Sequence, residues 1–85
     1  MTGEETPWAR ARVSVDVWER AFHHATIEYE AAVRAVAERF EQADHASWLE
    51  ARDQAAVARR RIAAISRGDR TAIDETLRDR RSWRR

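Results

Sequence analysis

The chain has 85 residues, of which 16 are basic and 15 acidic, giving a net charge of +1. This length accommodates a single domain, and the absence of cysteine excludes disulfides, thiolate nucleophiles and zinc–sulfur sites. Two glycines and one proline leave few turns, while seventeen alanines favour helix. Because alanine buries little area, the core is thin, and the sequence predicts self-association or a partner protein.

The first predicted helix starts at Thr6, a capping hydroxyl, followed by Pro7 at the first helical position. From Trp8 to Tyr29 the apolar residues recur at alternating spacings of three and four, which is the a/d stripe of a heptad repeat. The sequence therefore predicts one continuous helix over about residues 7–45.

The segment RVSVDV, residues 12–17, allows two other interpretations. Its valines alternate with polar residues, as in a half-buried strand that would have to pair with a second copy of the chain. Asp16 and Glu19 could instead form a capping box at a later helix start. The heptad covers more residues than the strand pattern, so we expect residues 12–20 to be helical, and the later helix start stays open as an alternative.

A second helix is predicted over about residues 48–67. Ser47 with Glu50 has the spacing of a capping box, and Gly68 supplies a stop at the other end. Between them the apolar residues again follow a/d spacing, and most of them are alanine.

A third, shorter helix is predicted over about residues 71–82, with a basic tail to residue 85. The fold class predicted is all-α: a long helix paired antiparallel with a shorter helix in a helical hairpin, plus a short third C-terminal helix. The alanines of the second helix would allow close approach, with Tyr29, Val36 and Phe40 filling the seam.

The difference in helix length predicts a partner-binding surface. At ~1.5 Å per residue the first helix spans roughly 58 Å and the second roughly 30 Å. The N-terminal part of the first helix would then be left uncovered, as a contact surface for a homodimer or a larger partner protein. The predicted partner-binding residues are Trp8, Val15, Trp18 and Phe22.

Charge is distributed unevenly along the chain. Residues 1–58 hold six arginines and eleven acids, a balance of −5, whereas residues 59–85 hold ten arginines and four acids, a balance of +6. Arginine binds phosphate bidentately, and a tryptophan among arginines can stack on an unpaired base. The candidate polyanion-binding residues are Arg59, Arg60, Arg61, Arg78, Arg80, Arg81, Trp83, Arg84 and Arg85.

A simpler interpretation of these arginines is neutralisation within the chain. Asp74 is spaced to pair with Arg70 or Arg78, and in an antiparallel hairpin Glu38 and Glu41 could lie beside the arginines of the second helix. The sequence leaves both interpretations open.

Neither catalytic nor metal-binding residues are predicted. No serine lies in a nucleophile elbow and no glycine-rich loop is present. His23, His24 and His45 each have a glutamate four residues away, which is not the spacing of a di-metal helical bundle. We expect no enzyme activity, no cofactor and no metal.

The sequence thus predicts a non-catalytic helical interaction protein, an accessory or assembly subunit, with a small nucleic-acid-binding protein as the alternative. The acidic start MTGEETP has no apolar core of a signal peptide, and no apolar run exceeds four residues. A cytoplasmic location without membrane insertion is expected.

Overall fold

The computed structural model describes residues 5–83, with side chains through residue 78, and over that range it contains four helices and no strand. The helices are α1 (Pro7–Ala11), α2 (Val15–Glu41), α3 (His45–Ser66) and α4 (Arg70–Trp83). The predicted all-α fold is confirmed, because α2 and α3 form the antiparallel hairpin and α4 is the short C-terminal helix. Among the described residues, no helix combines the length and apolar character needed to cross a bilayer.

The single helix predicted over residues 7–45 is wrong at its N-terminal end. α1 stops at Ala11, and Arg12 adopts the left-handed conformation with φ of 62°. Its amide donates to the carbonyls of Ala9 and Trp8, which closes the last turn of α1. Such a left-handed residue after the last helical position is a common way to end a helix.

α2 begins after a separate cap. The Ser14 hydroxyl accepts a hydrogen bond from the Val17 amide at 3.2 Å, which satisfies one free amide of the first turn. Residues 15–20 are therefore helical, as predicted, whereas residues 12–14 form a turn that is neither helix nor strand. The alternative of a later helix start is confirmed, but its cap is Ser14 and not Asp16.

The boundary between α2 and α3 also differs from the prediction. α2 ends at Glu41, Ala43 has a φ of 56°, and α3 begins at His45, three residues earlier than expected. The cap is Asp44, whose carboxylate accepts from the Ser47 amide at 3.2 Å. Ser47 is thus inside the helix, and the capping box assigned to it is wrong.

The predicted stop at Gly68 is confirmed. Gly68 has a φ of 85°, and its amide donates to the Ile65 carbonyl at 3.0 Å. α4 then begins at Arg70, one residue earlier than predicted, because the Asp69 carboxylate accepts from the amides of Thr71 and Ala72.

Small residues line the seam between α2 and α3. Ala21, Ala25 and Ala51 are all buried there, which allows the two helices to approach closely as predicted. The placement of Phe40 in this seam is wrong, because its side chain is 72% exposed. Tyr29 and Val36 are half-buried. Of the three residues predicted to fill the seam, Phe40 therefore lies outside it.

The core is concentrated at the base of the hairpin, the end away from the α2–α3 turn. Ile65 of α3 and Ile73 of α4 are fully buried there together with Ala21 and Ala25, and Leu77 packs against this cluster. Thr76 is buried as well, and its hydroxyl donates to the Ala72 carbonyl at 2.8 Å. α4 thus covers the base and leaves the other half of the hairpin as two helices alone.

α1 folds back onto the same base. Its Trp8 ring meets Trp18 edge-on at 5.4 Å, and Trp18 stacks on Phe22 at 5.1 Å. The Trp18 Nε1–H donates to the Ile65 carbonyl at 2.8 Å. The prediction that Trp8, Val15, Trp18 and Phe22 are left uncovered is therefore wrong for the three aromatic residues, which are half-buried, whereas Val15 is 39% exposed. The turn at residues 12–14 allows the chain to cover part of its own overhang.

Candidate interaction surface

An apolar face lies along one side of the hairpin beyond its base. Tyr29, Val33, Val36 and Phe40 follow each other at spacings of four, three and four, so they share one side of α2. Trp48 of α3 joins them at the end nearest the α2–α3 turn, because it borders the same depression as Phe40. These five residues are called the apolar face below.

Two open depressions mark this face. One, of about 380 Å³, is bordered by Tyr29 and Val33. The other, of about 510 Å³, lies between Phe40 and Trp48 at the hairpin turn. Phe40 is 72% exposed and Val33 44%. Large apolar side chains exposed in one line on a helix are typical of protein-contact surfaces.

Trp48 is held in place by its neighbours on α3. The His45 ring stacks against it at 5.7 Å, and the Arg52 guanidinium lies 5.2 Å from its ring centroid. Arginine over an indole face is an attractive cation–π geometry. The aromatic end of the apolar face therefore has a defined orientation before any partner binds.

Asp44 fixes the turn that brings Phe40 and Trp48 together. The pKa of its carboxyl is lowered chiefly by the hydrogen bond from the Ser47 amide, with further contributions from the Ser47 hydroxyl and the positive charge of Arg39. A carboxylate that accepts hydrogen bonds is favoured in its charged form, and a negative charge at a helix N-terminus is stabilising.

Charged side chains border the apolar face on both sides. Glu30 and Arg34 lie beside Tyr29 and Val33 on the α2 edge. On the α3 edge, Arg52 lies over Trp48, and Arg59 is seven residues further along the same side of the helix.

The other side of the hairpin is more polar. Glu28 and Arg61 form an ion pair across α2 and α3 with 3.4 Å between Oε1 and Nη1. They border an open depression of about 400 Å³ whose remaining lining includes Glu50, Asp53 and Val57, the last of which is 53% exposed. Three carboxylates and one arginine line this groove, and it contains no aromatic side chain.

The predicted partner-binding residues are brought together at the base. Trp8, Trp18 and Phe22 are half-buried and in mutual ring contact, while Val15 is 39% exposed. Their partner-binding role stays a prediction. Sequence reasoning missed Val33 and Trp48 as surface residues and assigned Tyr29, Val36 and Phe40 to the hairpin seam. The signal available was the alanine content of that seam.

The arginines of the C-terminal third are only partly described. Arg59, Arg60 and Arg78 are exposed, whereas Arg61 is paired with Glu28 rather than with the predicted Glu38 or Glu41. The side chains of three predicted polyanion-binding residues, and the whole of two more, lie outside the described part of the chain: Arg80, Arg81 and Trp83, and Arg84 and Arg85.

One predicted neutralising pair is present. Arg70 Nε lies 3.3 Å from Asp74 Oδ1, with both side chains largely exposed. Arg70 also donates from Nη1 to the Ala11 carbonyl at 3.4 Å, so it ties α4 to the end of α1. This arginine therefore has a structural role besides its charge.

The histidines are spread along the two long helices. His23 and His24 are neighbours with ring centroids 5.8 Å apart, and His45 stacks on Trp48. Within the described residues no group of three or more histidine, aspartate or glutamate side chains could hold a metal ion.

Comparison with known proteins found no matching protein-family model, no similar curated protein and no similar solved structure. The assignment of the candidate interaction surface therefore rests on the geometry of this protein alone.

Proposed function

We propose that this protein is a non-catalytic helical interaction protein of the cytoplasm, an accessory or assembly subunit that binds through its apolar face. The observation that carries the proposal is the 72% exposure of Phe40 in line with Val33 on α2. The proposal keeps the predicted class of function. The contact surface it names lies further along the chain than the predicted residues Trp8, Val15, Trp18 and Phe22.

The division of the fold supports this proposal. Ile65, Ile73 and Trp18 hold the base together, and α1 and α4 are both packed there. Phe40 and Trp48 lie at the opposite end, where they contribute little to that core. Burying one such side chain contributes on the order of 1.5–3 kcal/mol, so this face can supply useful binding energy to a partner helix.

Site-specific photocrosslinking in cells tests the proposal. A photoreactive phenylalanine analogue at Phe40 should form discrete adducts, since it keeps an aromatic side chain in the contact. The matched control is the same analogue at Glu38, which is exposed on the opposite side of α2. Equal labelling at both positions, or no adduct at Phe40, would contradict the proposal.

Exposed arginines on α3 favour a second candidate, a nucleic-acid-binding protein. Arg59 and Arg60 are exposed side by side, and Arg78 is exposed on α4. If these residues bind phosphates, log K should fall by roughly 0.7–0.9 per contact for each decade of salt. Filter binding of single- and double-stranded DNA at two salt concentrations tests this, with Arg59→Ala/Arg60→Ala against Arg10→Ala as the control.

A further inference from the structure

We infer that α1 is a reversible strap, which leaves the base of the hairpin and joins α2 as one continuous helix over residues 7–41. In the folded-back state, which the structure shows, the Trp8 ring of α1 lies against Trp18. In the extended state this contact is broken and the Trp18 ring becomes accessible from that side. The strap therefore controls the exposure of aromatic surface at the base, at the end of the hairpin opposite the apolar face.

The sequence permits a continuous helix through the turn. Residues 8–41 contain neither glycine nor proline, the two residues least compatible with a helix interior. Thr6 and Pro7 begin α1, and they would begin the extended helix in the same way. Five apolar residues keep the spacing of one helix face across the turn: Trp8, Ala11, Val15, Trp18 and Phe22.

The turn itself contains an unfavourable backbone conformation. Arg12 has a φ of 62°, and this left-handed conformation is disfavoured for any residue with a Cβ. The amides of Val15 and Asp16 also lie in the first turn of α2, before its first intrahelical hydrogen bond from Trp18 to Ser14. In the extended state Arg12 becomes right-handed and both amides donate to carbonyls four residues earlier. These gains offset part of the contacts that α1 loses.

α1 depends on contacts outside itself for its structure. Arg10 Nη1 donates to the Arg67 carbonyl at 3.1 Å in an exposed hydrogen bond, and Arg70 Nη1 donates to the Ala11 carbonyl at 3.4 Å. A helix of five residues is too short to be stable alone in water, because nucleation is costly. Extending α2 needs no new nucleus, since α2 is already helical. A released α1 therefore has a helix to join.

Pulsed electron paramagnetic resonance between two spin labels distinguishes the states. The chain has no cysteine, so Ala9→Cys and Ala31→Cys, at two exposed positions, can be labelled specifically. In the folded-back state α1 lies level with Trp18, which is 13 residues before Ala31, or about 20 Å along α2. In the extended state the labelled residues are 22 positions apart in one helix, or about 33 Å. The shorter distance should dominate in the otherwise unchanged protein.

Two substitutions should shift the equilibrium in opposite directions. Ser14→Ala removes a cap that α2 needs only in the folded-back state, so the ratio of extended to folded-back molecules should rise about fivefold. Arg12→Gly adopts the left-handed conformation freely and disfavours helix, so the ratio should fall roughly tenfold or more. The matched control Arg12→Ala removes the same side chain but keeps the Cβ, and it should change the ratio less than about twofold.

A double variant makes the extended state the major one. Trp8→Ala with Ser14→Ala removes the ring contact of α1 as well as the cap, so the distance of about 33 Å should predominate without loss of helical circular dichroism. Adding Arg12→Gly should remove most of that population. A distance that stays near 20 Å would overturn the strap, and so would a broad distribution without a peak near 33 Å, which means that α1 only detaches. If the double variant does not fold, Ser14→Ala alone decides, and an unchanged distribution overturns the inference.

Discussion

Gly68→Ala should be among the most destabilising small substitutions in this protein. Gly68 has a φ of 85°, a conformation that costs an alanine about 1–2 kcal/mol. A Cβ built at this position would also lie 2.6 Å from the Pro7 carbonyl oxygen and 3.0 Å from the Arg10 Cβ. The nearest obstacle is backbone, so α1 must move to accommodate the methyl group.

The cost of moving α1 can be bounded from its contacts. Arg10 Nη1 donates to the Arg67 carbonyl at 3.1 Å, and Arg70 Nη1 donates to the Ala11 carbonyl at 3.4 Å. The first of these hydrogen bonds is exposed and the second is partly buried, and such bonds contribute about 1 kcal/mol each. Adding the backbone term, Gly68→Ala should lower the free energy of unfolding by about 3 kcal/mol.

A second substitution isolates the backbone term. Ala43 has a φ of 56° in the turn between α2 and α3, so Ala43→Gly should stabilise the protein by about 1 kcal/mol. Urea denaturation followed by circular dichroism measures both variants. The fluorescence of Trp8 and Trp18 should change in Gly68→Ala alone, because α1 shifts against the base. If Gly68→Ala costs less than about 1 kcal/mol, the close packing of α1 on Gly68 is wrong.

Two further predictions concern Trp18 and Asp44. Trp18→Phe keeps the ring stack on Phe22 but loses the donor to the Ile65 carbonyl. Denaturation should therefore show a free energy of unfolding lowered by about 1 kcal/mol. The control Trp48→Phe should have a smaller effect. The pKa of Asp44 is lowered in the folded protein. Its charged carboxylate therefore stabilises the fold fully above the unfolded-state pKa of about 3.9, and this contribution is lost as the pH falls through the folded-state pKa. Stability measured from pH 7 down to about 2.5 should therefore decrease less in Asp44→Asn than in the wild type, and parallel curves would contradict the capping role.

The break between α1 and α2 shows what apolar spacing can and cannot predict. Trp8 and Trp18 fit one heptad stripe, and they do face each other in the fold. The spacing indicates which side chains are buried against one another. It does not indicate whether the backbone between them continues as a helix or folds back. The decisive signal was the Ser14 cap, which a search for apolar periodicity passes over.

The apolar face was hidden by an assumption about residue size. A heptad stripe places Val36 and Phe40 in the seam only if both helices are far enough apart to hold them. Near the turn Ala51 is buried while Phe40 is 72% exposed, so the largest residue of the stripe lies outside the seam. The two long helices and their order follow from the sequence pattern. The distance between them depends on which side chains contact each other in the seam.

The alanine seam also explains why the two ends of the hairpin differ. Burial of alanine contributes little compared with burial of isoleucine or tryptophan, so the seam alone is a weak source of stability. At the base this deficit is offset by Ile65, Ile73 and Trp18, which α1 and α4 help to bury. Near the turn no described element covers Phe40 or Val33. The half of the hairpin near the turn is thus the less stable half, and it is also the half with exposed apolar surface. A partner that binds this surface would stabilise the folded hairpin.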